Sequence, residues 1–184
     1  MFRIAILLIS GMAMCATASA QDGFEAVKCG ADIPKALLGR STSNGGVAAA
    51  EGRHRDIQLK NLGGDGISDY LFLESWSICG TEFELLVNSK ARRIRDVLAF
   101  PAHSRRSPMT LGPCEVKGTR IAEAVIAVLD NSKGYNPKDS AQAKTMLAAT
   151  AAWKIDEGKE QFVALPLQGL SCSLEGVITS DGGP

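Results

Sequence analysis

Hydrophobic and polar positions alternate most clearly between residues 70 and 100. Tyr70, Phe72, Trp76 and Ile78 fall on one face of a period-two pattern with Glu74 among them, while Leu71 and Leu73 fall on the other. That period is a strand's, and apolar residues on both sides predict that its first half is covered on both faces. Cys79 and Gly80 turn the chain. Phe83, Leu85 and Val87 repeat the alternation, residues 88–91 turn again, and residues 92–100 return. A four-residue turn would set Leu85 opposite Ile94 and Glu84 opposite Arg95, an apolar pair and a charge pair.

Upstream, Asp32 is placed to cap a short helix, with Pro34 in its first turn and Gly39 as its stop. Residues 41–52 read as a small-residue loop and residues 55–59 as a strand. Downstream, Pro101, Pro108 and Pro113 frame an irregular segment, and the Val and Ile content of residues 121–130 predicts a strand. Asp139 with Gln142 three residues on has the capping-box spacing and predicts a helix to Ala149. Residues 153–155 and 161–165 form a last hairpin, and the tail after Glu175 reads as frayed. The expected fold is α+β: a mostly antiparallel sheet of five to seven strands with two or three short helices.

The N-terminus changes the picture. Arg3, an apolar run over residues 4–15 and the small residues Ala18, Ser19 and Ala20 predict a cleaved signal peptide over residues 1–20. The apolar run is shorter than the roughly 20 residues a membrane span needs, and no later segment qualifies. Residues 21–184 are then a single exported domain, periplasmic or secreted. This domain keeps Cys29, Cys79, Cys114 and Cys172, an even number too widely spaced for metal pairs, so two disulfides are expected. Three connectivities are open, with a slight lean to Cys29–Cys79 and Cys114–Cys172.

Loss of Arg3 from 20 basic residues leaves 19 against 20 acidic ones, a net charge of −1. Bulk attraction to nucleic acid is not expected at that balance. The basic residues are unevenly placed, however, and concentrate between residues 88 and 120. Arg93, Arg95, His103, Arg105 and Arg106 are the candidates for an anion-binding face, whose partner would be a protein or an anionic envelope component.

Residues 61–69, NLGGDGISD, resemble the DxDGDGxxD calcium loop of EF-hand, dockerin and integrin-type repeats. The resemblance implies calcium on Asn61, Asp65 and Asp69, with Gly66 at the bend; Gly63 and Phe72 depart from the pattern and leave an incomplete shell. As a whole, the leader, VKCGAD near the mature start, the ICG strand end and the paired cysteines resemble uncharacterised small exported proteins of Gram-negative bacteria. That likeness implies export and transfers no activity.

No G-x-S-x-G, HExxH, Walker loop or dinucleotide fingerprint occurs. The leading expectation is an exported, non-catalytic binding or inhibitor-type protein. The alternatives are a small envelope-acting hydrolase, with His54 or His103 as base, and a weak calcium-binding module. Intact mass of exported material is expected to lack residues 1–20 and to fall four hydrogens below the reduced mature chain. A retained leader or a free thiol among the four cysteines would overturn this reading.

Overall fold

The computed structural model describes residues 23–42, 47–134, 136 and 139–178, so the expected leader lies outside the described residues. Twelve described strands form two antiparallel sheets where one was expected. The first is a meander of β1 (Lys60–Gly66), β2 (Leu71–Ile78), β3 (Thr81–Asn88) and β4 (Arg93–Ala99). The second contains β5 (Met109–Leu111), β6 (Cys114–Val116), β7 (Thr119–Arg120), β8 (Val125–Leu129), β9 (Met146–Asp156), β10 (Gln161–Ala164), β11 (Leu170–Ser173) and β12 (Val177–Ile178). Its spatial order is β12-β5-β8-β9-β11-β6-β7, and β10 lies beside the last residues of β9.

The alternation read along residues 71–88 is the observed one, whereas Tyr70, expected on the Phe72 face, packs with Leu71, Leu73 and Leu86. Phe72, Glu74, Trp76 and Ile78 share a face with Val87, Leu85, Phe83 and Thr81, their partners on β3. Between Ile78 and Thr81 the two-residue turn has positive φ at both Cys79 (54°) and Gly80 (77°), the geometry that matches strand twist. Leu71, Leu73 and Leu86 face the other way and pack on Met109, Ile126, Val128 and Ile155 of the second sheet. Over Trp76, Phe83, Leu85 and Ile94 lies an N-terminal layer carrying Phe24, Val27, Ile33, Leu37 and Ile57.

That layer holds α1 (Ile33–Leu37), α2 (Val47–Arg53) and two short 3-10 turns, Gly23–Ala26 and Arg55–Ile57. Asp32 caps α1 by accepting from the Lys35 amide at 3.1 Å. Cys29–Cys79 fixes the layer to the end of β2, and Cys114–Cys172 joins facing residues of β6 and β11. The chain is therefore mostly antiparallel sheet with short helices and two disulfides, in the sequential pairing.

The second sheet closes on itself. Only Gly112 and Pro113 separate β5 from β6, and only residues 174–176 separate β11 from β12. Because β12 pairs β5 while β11 pairs β6, the two bent segments run side by side around one corner. A methyl on Gly112 would stand 2.5 Å from the Glu175 carbonyl oxygen, and one on Gly176 2.6 Å from that of Leu111. Only glycine permits this approach. Small and branched residues, among them Ala127, Leu129, Ala149 and Leu170, fill the inside with the Cys114–Cys172 bridge.

Several expectations are corrected. A bulge at Arg95 shifts the β3–β4 register, so Leu85 faces Val97, Ile94 faces Val87 and Glu84 faces Leu98. The Glu84–Arg95 pair does not form. α2 occupies part of the expected 41–52 loop, and residues 55–57 form a 3-10 turn instead of a strand. Asp139 caps α3 (Ser140–Ala143) at 3.1 and 3.2 Å, but Gln142 turns to the Asn136 amide and the helix stops. Met146–Asp156 is strand in spite of its alanines, since the interior of the closed sheet takes small side chains there: tertiary packing overrides propensity. Beyond Glu175, β12 pairs with β5 where fraying was expected.

Glu84 lies between the sheets, 1% exposed, with Ser75 Oγ at 2.9 and 3.1 Å from its two carboxyl oxygens. Burial pushes its pKa up to about 8; the Ser75 hydroxyl opposes this, and the charges of Asp65 and Glu74 add to it. Between the ordinary carboxyl value of 4.5 and 8 the folded chain holds a proton that the unfolded chain releases. Stability contributed by this site is thus full below 4.5 and is lost as pH rises toward 8, at up to about 1.4 kcal/mol per pH unit. Glu84→Gln is expected to melt near wild type at pH 5 and well above it at pH 8. Parallel pH profiles for the two proteins would show that Glu84 ionises without cost.

Candidate functional site

β1 is an edge strand, and its glycines determine what it covers. Gly64 stands opposite Glu74 and Gly66 opposite Phe72, on the face that carries Trp76. With no side chains at these two positions, the edge strand leaves part of β2 bare. The result is a trough of about 340 Å³ open to solvent, lined by Val47, by β1 from Gly63 to Gly66, and by Phe72, Glu74 and Trp76. A methyl on Gly64 would overlap the Leu73 carbonyl oxygen, whereas Gly66 has open space around its missing Cβ. Gly64 is therefore needed for the strand pairing and Gly66 only for the opening.

Glu74 is the polar group of the trough. Its Oε1 accepts from Thr42 Oγ1 and its Oε2 from Trp76 Nε1, both at 3.0 Å. Burial raises its pKa above the ordinary carboxyl value, and the two hydrogen bonds only partly offset this. No cation pairs with it among the described residues. The donors are held from behind: Trp76 packs on Phe24 at 4.8 Å between ring centroids, and Phe24 on His54 at 6.0 Å. Glu51 of α2 accepts from the Asn61 amide at 2.7 Å and so fixes the helix beside β1.

The residues expected to bind calcium belong to this same edge. Asn61 and Asp65 lie on β1, and Asp69 lies in the turn that follows. The Asn61 side chain bonds the Gly63 amide at 3.1 Å and approaches the Ser75 carbonyl at 3.5 Å, at the bulge between Asn61 and Gly63. Among the described residues no group of three or more His, Cys, Asp or Glu side chains is arranged to hold a metal ion.

The basic candidates are distributed along the molecule. Arg93 and Arg95 stand at the start of β4, where Arg93 donates to the Gly39 carbonyl at 2.9 Å and Arg95 pairs with Glu160. His103, Arg105 and Arg106 follow its far end, about 20 Å away by the rise of seven residues. His103 meets Glu82 at 3.1 Å, and Arg105 and Arg106 sit in the turn closed by Ser104 and Ser107. Two of the five candidates thus stand at one end of β4 and three beyond the other.

Thr42 and Val47 were not legible as site residues, because nothing local marks a hydroxyl that reaches a carboxylate 32 positions away. The signal that was present is the pair of glycines two apart, Gly64 and Gly66, ahead of a strand with a carboxylate among aromatics. Gly64→Ala is expected to lose about 1–3 kcal/mol in denaturant unfolding, as overpacking does. Gly66→Ala is expected to stay within about 0.5 kcal/mol of wild type. Equal losses would place no special constraint on Gly64. No family model, curated protein or solved structure matches the chain.

Proposed function

We propose that this chain is an exported, non-catalytic binding module whose ligand seat is the glycine-walled trough over Glu74. Two disulfides suit the oxidising conditions of the periplasm or the exterior. No helix among the described residues is long and apolar enough to cross a membrane. The observation that carries the reading is a concave site of ligand size whose single carboxylate is oriented by two donors on a rigid strand and a stapled layer.

Binding is favoured over hydrolysis by how the histidines are engaged. His103 has Nε2 on Glu82 and Nδ1 at 3.2 Å from the Pro101 carbonyl, so both ring nitrogens are directed at acceptors. Ser104, beside it, accepts from the Arg106 and Ser107 amides within its own turn. His54 is buried against Phe24. None of these groups lines the trough.

A trough-filling variant tests this. Envelope-derived small molecules and short peptides, screened as fractions by thermal shift, are expected to include one that stabilises wild type but not Gly66→Phe. At a hundredfold excess over Kd the gain is about 2.7 kcal/mol, or roughly 5–10 °C for a domain of this size. A shift retained in full by Gly66→Phe, or no fraction that shifts wild type, would refute the trough as ligand seat.

A further inference from the structure

Resting on the trough as the ligand seat, we infer that its ligand is an organic cation, an alkylammonium or guanidinium group whose charge is placed against Glu74. A carboxylate offers about four acceptor sites, and the two groups that donate to Glu74, Thr42 Oγ1 and Trp76 Nε1, are both neutral. The remaining acceptor capacity is left for the trough, where Trp76 is the lining side chain that donates to Glu74 and no lining side chain is a cation. A half-buried carboxylate with neutral partners is under-compensated, and a ligand cation supplies the missing partner.

The surroundings select charge in the same direction. Asp65 pairs with Leu73, so its carboxylate lies on the other face of the ribbon, toward Glu84, and Glu74 is the carboxylate on the trough side. The charge that the trough presents is therefore that of Glu74, although the chain as a whole is balanced. Gly64 and Gly66 let the aliphatic stem of such a ligand lie against the main chain of β1, and Phe72 and Val47 supply apolar contact along it. An anionic ligand would meet the Glu74 carboxylate and be repelled. A neutral one would leave Glu74 without a counter-charge.

Amide chemical shifts of Gly63, Gly64 and Gly66 report on the trough directly. The probes are pentylamine and agmatine, their neutral counterpart pentanol, and the blocked tripeptides acetyl-Gly-Arg-Gly-amide and acetyl-Gly-Gln-Gly-amide. Cationic probes are expected to bind at least tenfold tighter than their neutral counterparts in wild type. That preference is expected to collapse to within about twofold in Glu74→Gln, and Gly66→Phe is expected to abolish the shifts of every probe. Tighter binding of the arginine tripeptide than of the free amines assigns the cation to a peptide side chain; the reverse order assigns it to a small molecule. Equal binding of cationic and neutral probes in wild type overturns the inference and leaves the trough a ligand seat. If no probe moves the three glycine amides at millimolar concentration, the trough reading fails with it. Should Glu74→Gln not fold, the wild-type ratio of cationic to neutral affinity decides alone.

Discussion

A strand ribbon that is apolar on both faces has to be covered twice, and the architecture follows from that constraint. β2 and β3 direct Trp76, Ile78, Phe83, Leu85 and Val87 one way and Leu71, Leu73 and Leu86 the other. One face receives the N-terminal layer and the other receives the second sheet. The first of these covers is small. The N-terminal layer consists of two short helices and two single turns, and lone helices of that length are marginal in water. They persist because Phe24, Ile33, Leu37 and Ile57 are buried on the ribbon and because Cys29–Cys79 joins layer to ribbon at the end of β2. The bridge and the apolar face act on the same interface, and the Thr42 hydroxyl reaches Glu74 only because that interface holds.

The ribbon also carries two carboxyl groups into places where water cannot solvate them, and their environments separate them. Glu84 lies between the sheets with one hydroxyl partner, so it stays protonated at neutral pH and behaves as a neutral, hydrogen-bonded core group. Glu74 lies ten residues earlier on the opposite face, beside glycines, with two fixed donors and solvent on its open side. Burial raises both, but only Glu74 faces a space that a ligand can enter. Position on the pleat therefore places one carboxyl in the core and the other at a solvent-open trough, through nothing more than the period-two alternation.

That alternation is what made much of the ribbon legible: the faces of β2 and β3, the turn at Cys79 and Gly80 and the return strand all follow from spacing. The cap at Asp32 was readable for the same local reason, and so was the presence of two disulfides, whereas their connectivity was only a slight lean among three. Register was not. The bulge at Arg95 moves the partner of Glu84 from a cation to Leu98, and Arg95 pairs instead with Glu160, 65 positions away. The closed second sheet was hidden for a related reason. Gly112 and Gly176 are ordinary loop residues in sequence, and their meaning comes from two segments that cross only once the whole sheet has formed. Alanine-rich β9 reads as helix until the size of the interior it must fit is known.

The glycine-rich stretch shows how one composition serves a different end from the motif it resembles. An open sheet edge is a hazard, since its free amides and carbonyls invite pairing with another chain. β1 manages that edge with side chains: Glu51 accepts from the Asn61 amide, and Asn61 accepts from Gly63 at a bulge that bends the strand. An Asn and a Gly two residues apart are what a metal loop also contains, and here they form a bulge within the β1–β2 ladder. Past the bulge, Gly64 and Gly66 cannot protect the edge with bulk, and they expose Phe72 and Glu74 beneath them. A side chain fits only at Gly66, where a strand built to guard an edge would carry lysine or a β-branched residue. Glycine at that position costs strand stability and leaves the Glu74 carboxylate unshielded, two penalties on one face that together keep the trough open.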